Sequence, residues 1–119
     1  MKVIIAGSRT FTDYALLKDT LDELAFRTYP FDFSIEIVSG TARGADKMGE
    51  QWAKENGKVI HEFKPDWDGL GKSAGYRRNE DMAKFADAAI CFWDGTSRGT
   101  KHMIDLAKQY KLKLKIVRY

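Results

Sequence analysis

The chain has 119 residues, 44% of them hydrophobic and 31% charged, with 20 basic against 17 acidic side chains for a net charge of +3. That length supports one hydrophobic core, whereas two independent domains would each be too small to fold without cross-links. One cysteine, Cys91, and two histidines far apart in sequence exclude a disulfide framework and a zinc finger, and the weak net charge argues against a protein that coats DNA.

The first six residues run directly into Gly7-Ser8-Arg9, too short a stretch for a signal peptide's apolar region. No segment nears the roughly 20 apolar residues that a membrane span needs, so a cytoplasmic protein with no membrane partner is expected. Residues 3–6 (VIIA) form a continuous apolar run, the pattern of a strand buried on both faces of a parallel sheet. Tyr14, Leu17, Leu21 and Leu24 then fall three or four apart and predict a helix. Residues 35–38 read as the second strand, and Ala45, Met48 and Trp52 mark the inward face of a second helix.

Residues 59–63 alternate in polarity, which suits an edge strand. The stretch 64–75 (KPDWDGLGKSAG) carries one proline and three glycines with no helical period. It reads as a long irregular connection, either functional or a surface loop with Trp67 pinned for packing. Residues 77–85 predict a short helix with Met82 and Phe85 facing inward, and 88–93 (AAICFW) is the second continuous apolar run. Met103, Leu106, Ala107 and Tyr110 predict a last helix before an alternating edge strand at 114–117. Strand followed by helix, repeated, predicts right-handed crossovers and one doubly wound α/β domain over 1–119, a five-stranded parallel sheet with helices on both faces.

In such a sheet, ligands bind beyond the carboxyl ends of the strands. Three glycine-bearing loops are expected there: GSRTFT at 7–12, SGTARGAD at 39–46 and DGTSRGT at 94–100. Glycines let backbone approach a ligand closely, and a helix N-terminus offers free N–H groups to an anion. The ligand-binding candidates are Gly7, Ser8 and Arg9; Gly40, Thr41, Ala42, Gly44 and Asp46; and Asp94, Gly95, Thr96, Ser97, Gly99 and Thr100. Arg43 and Arg98 sit in the same loops as ligand contacts or as solvated charges, and Asp46 either caps its helix or contacts a ribose hydroxyl. Arg78 and Asn79 open the fourth predicted strand's preceding helix, where an arginine and an amide can grip an anion. Neither the Walker A nor the GxGxxG spacing is present, which disfavours an ordinary ATPase or hydride-transfer enzyme.

Four segments in order, IAGSRTFTDY, VSGTARGAD, DWDGLGKSAGYRRNEDM and DGTSRGT, together resemble the YspA-like branch of the SLOG superfamily, named for its Smf/DprA and Lonely Guy members. The resemblance covers nearly the whole chain. It implies a Rossmann-like domain that binds nucleotides or NAD- and ADP-ribose-type molecules, with no separate cofactor and no metal. Lonely Guy phosphoribohydrolases cleave the N-glycosidic bond of nucleoside monophosphates with an arginine and a glutamate. Arg78, four residues before Met82, matches that catalytic arginine. The glutamate, three residues after the loop's Gly-Thr, does not match: Gly99-Thr100 is followed by Lys101, His102 and Met103. A thioether cannot act as a base or steady a developing oxocarbenium ion.

The leading expectation is therefore a nucleotide-ligand sensor or sequestering module. The alternatives are a hydrolase of N-glycosidic bonds and a DprA-like binder of single-stranded DNA. The weak net charge and the absence of basic runs disfavour nucleic acid as a partner. Trp67 and Tyr76 flank the long connection as candidates to close over a ligand, and Trp93 either stacks on a base or packs under its neighbouring helix. A homodimer or higher homo-oligomer is open, with Tyr29, Phe31 and Phe33 as its candidate surface.

Overall fold

The computed structural model describes residues 1–28 and 35–119 and sets the two continuous apolar runs at the centre of one sheet. These runs are β1 (Lys2–Gly7) and β4 (Ala88–Trp93). With β2 (Glu36–Ser39), β3 (Ile60–Glu62) and β5 (Lys113–Arg118) they form the order β3-β2-β1-β4-β5, every pairing parallel. The two alternating strands, β3 and β5, are the edges, because an edge strand keeps one face in contact with water. Tyr29, Phe31 and Phe33 lie outside the described residues.

Between the strands run α1 (Tyr14–Asp22, continued by a π-helical turn at Glu23–Thr28), α2 (Ala45–Glu55), the single turn α3 (Trp67–Leu70), α4 (Ala74–Phe85) and α5 (Arg98–Gln109). Side chains alternate across β1 and divide the core in two. Val3 and Ile5 pack with Leu17, Leu21 and Trp52 of α1 and α2. Ile4 and Ala6 pack on the opposite face with Met82, Met103, Ile104 and Ala107 of α4 and α5. Trp52 is fully buried and its indole N–H donates to Asp22 Oδ1 at 2.9 Å, so the one polar atom it takes inside is satisfied. No helix among the described residues is long and apolar enough to cross a membrane.

Residues 64–75 differ from the irregular connection expected. Asp66 caps α3 by accepting the Gly69 N–H at 2.9 Å, and a 3-10 turn (Gly71–Ser73) leads into α4. A four-residue helix spans barely one turn and leaves no period in the sequence. From β1 the chain steps outward through α1 and α2 to β3, then crosses the sheet to β4 and continues the other way to β5. The order thus reverses between β1 and β4, whose outgoing loops diverge to opposite layers and leave a crevice.

Gly49 lets α2 lie close on β1: a Cβ at that position would stand 2.9 Å from the Cβ of buried Ile5. Overpacking of about 1–3 kcal/mol opposes the helix propensity of about 1 kcal/mol that alanine adds. Gly49→Ala is expected to lower stability by about 1 kcal/mol net, read as a reduced midpoint of urea unfolding, and an equal or higher midpoint would contradict this packing.

Candidate nucleotide cleft

A cleft of about 500 Å³ occupies the crevice between the carboxyl ends of β1 and β4. Gly7, Ser8 and Arg9 line it from the end of β1, and Asp94, Ser97, Gly99 and Thr100 from the β4–α5 turn. Ala42 and Asp46 enter from the β2–α2 loop, and Tyr76, Arg78 and Asn79 from α4, while Trp67 stands at the mouth. Met82 and Met103, almost completely buried, form an apolar floor. Both read from sequence only as inward-facing or substituted positions, since a core residue that also lines a cleft has no separate signature.

The other predicted residues are placed elsewhere. Gly40 and Thr41 line a second cleft of about 350 Å³, which shares Arg9, Ala42, Trp67 and Arg78 with the first and adds Arg43, Lys64 and Pro65. Gly44, Gly95 and Thr96 line neither, and neither does Arg98. Gly44 has φ +82°, and any side chain there would run into the Ser8 carbonyl. It is needed so that the β2–α2 loop can lie against the β1 loop. Gly95, at φ +91°, is crowded by the Arg118 guanidinium. Loop crossing sets Gly44, and the positive φ sets Gly95.

Several side chains expected to meet a ligand are engaged within the fold. Asp94 accepts the Thr96 and Ser97 N–H groups, each at 2.8 Å, and these bonds hold its carboxyl below the usual range. Ser97 is the N-cap of α5: its Oγ accepts the Thr100 N–H at 3.4 Å and lies 3.0 Å from the Thr100 hydroxyl. Ser8 and Thr10 pair their hydroxyls at 2.8 Å. Trp93 resolves toward packing: its indole N–H donates to the Ser97 carbonyl at 3.1 Å, and Arg118 covers its ring. With the cap formed at Thr100, the Arg98 and Gly99 amides at the start of α5 have no helical acceptor. Gly99 itself is on the cleft wall.

Arg78 ties the walls together. Its Nη1 donates to the Gly40 carbonyl at 2.5 Å and its Nε to Asn79 Oδ1 at 2.9 Å. Asn79 is buried, and its Nδ2 lies 3.4 Å from the Gly99 carbonyl and 3.2 Å from His102 Nδ1. The His102 ring accepts at Nδ1, stands edge-on to Tyr76 at 4.7 Å, and burial pushes its pKa down. Asp46 is 6% exposed and accepts the Ala42 N–H at 3.3 Å. Burial pushes its carboxyl up to about 7, against the pull of the Arg78 charge and of the loop amides. Burial also lowers the proton affinity of Arg78, with Asp46 acting in the opposite sense.

The model of the YspA, cpYpsA-related SLOG family matches residues 1–69. The Gene 61 protein of Mycobacterium phage D29 is 34% identical over 114 residues, covering 91% of this chain and 89% of that protein. Among solved structures, TM1055 superposes with a TM-score of 0.68 at 19% identity, over 95% of this chain and 71% of that one. DNA processing protein A from Helicobacter pylori, described for its single-stranded DNA binding mode, gives 0.66 at 22% identity, over 98% and 64%. Family and fold together support a nucleotide-related role. The second likeness corrects the expectation against nucleic acid, because the same fold is found in a protein that binds single-stranded DNA. Net charge misled there. A value of +3 averages over the whole chain and is silent on arginines gathered at one crevice.

The buried Asp46 carboxyl gives this site a pH signature. An unfolded aspartate titrates near pH 4 and this one near 7, so the folded state holds the extra proton between those values. Its contribution to stability is present at pH 4 and is lost as pH rises toward 7, with a slope of at most about 1.4 kcal/mol per unit. Asp46→Asn should gain on the wild type across that window in urea unfolding and hold a constant advantage above it. A difference that does not vary with pH would overturn the assignment.

Proposed function

The chain belongs to the YspA, cpYpsA-related SLOG family, and from that membership and the cleft we propose that it binds a nucleotide-derived ligand of the NAD or ADP-ribose type, as a sensor or sequestering module. Residues 1–119 act as one binding unit in this reading. The observation that carries it is the meeting, at the point where strand order reverses, of the α5 start, whose first amides have no helical acceptor, with two arginines and two exposed aromatic rings. The Gly99 wall of α5 presents backbone N–H groups and a partial positive charge to an anion. Arg9 and Arg78 face the same space and add charge-assisted donors. Tyr76 and Trp67, each 51% exposed, offer flat faces on which a base can stack.

Met103, 1% exposed on the floor, favours binding without turnover, because no carboxylate stands where the hydrolases of the superfamily have theirs. One observation keeps a hydrolytic reading in view: Asp46 lines the cleft and titrates near 7, where a carboxyl can give or take a proton. Release of ribose 5-phosphate or free base, abolished by Asp46→Asn, would establish it.

Calorimetric titration with AMP, ADP-ribose and NAD tests the binding reading. A Cβ at Gly99 would have no surrounding atom within 4 Å apart from its own helical turn, so Gly99→Val is expected to alter the cleft and spare the fold. It is expected to weaken binding by about tenfold or more with an unchanged Tm, and Tyr76→Ala by about tenfold through lost stacking. No binding of any of the three ligands, or full affinity in both variants, would overturn the proposal.

A further inference from the structure

The second cleft has no part in the reading above. It opens between the β2–α2 loop and the start of the long connection, with Arg43, Lys64 and Thr41 as its own walls and Arg9, Arg78 and Trp67 on the threshold to the first cleft. No carboxylate lines it. None of its four cations forms an ion pair among the described residues, whereas Lys18, Lys84, Lys101 and Arg77 on the helices are each matched to a carboxylate four residues away. Arg78 is opposed by the nearby charge of Asp46, whereas Arg9, Arg43 and Lys64 have no ion-pair partner among the described residues, and three such cations around one concavity repel one another and favour the arrival of an anion.

The shape of this wall is held at a cost. Thr41 has φ +66°, in the left-handed region that a β-branched residue rarely adopts. Its N–H donates to Ser39 Oγ at 3.1 Å, and that hydroxyl in turn donates to buried Glu50 at 2.6 Å. Strain of this kind persists where surrounding structure holds it, and it concentrates at ligand sites. Trp67 adds an aromatic face that is half exposed and shared by both clefts. An aromatic beside a cationic groove is the arrangement that holds a base and its phosphate together.

We propose that the second cleft seats a second nucleoside phosphate of the same ligand, so that a dinucleotide-type chain runs across the threshold made by Arg9, Arg78 and Trp67. The shared threshold is why one continuous ligand fits better than two separate ones. This inference rests on the reading of the first cleft as a nucleotide site and divides the two nucleoside phosphates of such a ligand between the two clefts. The chemistry is common to a free dinucleotide and to the end of a single strand.

The test compares AMP, the dinucleotide pApA and an oligodeoxythymidylate of about 12 nucleotides on the wild type and on the double variant Arg43→Ala/Lys64→Ala, whose side chains lie outside the first cleft. The dinucleotide is expected to bind at least about tenfold tighter than AMP, and the double variant to remove that gain while leaving AMP affinity within about twofold. Equal gains for pApA and oligonucleotide support a site for two nucleotides from either source, and a gain seen only with the oligonucleotide assigns the second cleft to single strands. Dinucleotide affinity equal to that of AMP, with no gain for the oligonucleotide, would overturn the inference and leave the first cleft standing. Equal losses for AMP and pApA in the double variant would also overturn it. Should AMP fail to bind while pApA binds through Arg43 and Lys64, the second cleft stands and the reading of the first cleft as a nucleotide site falls. Absence of binding by all three removes both.

Discussion

The bond from the Arg78 guanidinium to the Gly40 carbonyl ties α4 to the β2–α2 loop at the edge of the cleft. Arg78 belongs to α4, in the layer on one face of the sheet, and the Gly40 loop leads into α2 on the other. β1 and β4 pair through Gly7 and Phe92 and carry both layers, and the Arg78 bond adds a side-chain link between them beyond the strand ends. Gly40 has no alternative at its position: a Cβ there would stand 2.9 Å from both the guanidinium and the Asp46 carboxylate. The same cation offsets the charge of Asp46, a carboxylate that the α2 packing buries. Removing one partner of a buried charged pair costs more than the pair contributes, because the remaining charge is stranded. Arg78 therefore serves the fold and the cleft together, and its loss cannot be read as a loss of ligand contact alone.

A second constraint is the demand of loop backbone for partners. Three loops crowd the carboxyl edge of the sheet, and their amides must be satisfied whether or not a ligand is present. Asp94, Ser97 and Ser8 meet that demand, with Asp94 alone holding two N–H groups. Little of the hydroxyl and carboxylate chemistry written into these loops is left over. Beside the buried Asp46, what remains toward the clefts is chiefly cationic and aromatic: Arg78, Arg9, Tyr76 and Trp67. A mild surplus of three positive charges over the chain becomes a local excess at this edge, because the helical surfaces largely cancel their own charges in pairs.

The central sheet was legible in the sequence because burial on two faces leaves an unbroken apolar run, and burial on one leaves alternation. Runs 3–6 and 88–93 became β1 and β4, and the alternating runs became β3 and β5 at the edges. The start of α4 was placed three residues late, since Ala74 packs inward without a neighbour in register to reveal it. The single turn α3 was invisible for want of a period, although Asp66 three residues before Gly69 is a cap that could have announced it. Of the candidate site, the loops were legible through their glycines, but not which cleft each wall faces. That depends on how neighbouring loops cross, as at Gly44 against Ser8, and crossing is a property of the assembled sheet. Lys64 carried no signal at all, because a lysine after a strand is ordinary until the fold brings it beside Arg43.

The floor of the cleft explains the state of its walls. Met82 and Met103 line the same cleft as Asp46 with polarizable but uncharged surface, and burial of that carboxyl raises its pKa to about 7. Had a carboxylate stood at position 103, two acidic groups would share one arginine, and the cleft would lose much of its attraction for phosphate. A thioether there leaves Arg78 answering to a single internal anion. In the proposed reading, a phosphate at the guanidinium would compete with the charge on Asp46, and its negative charge would raise that carboxyl's proton affinity further. Under that reading, occupancy of the cleft and protonation of Asp46 would be coupled through one guanidinium, with each favouring the other.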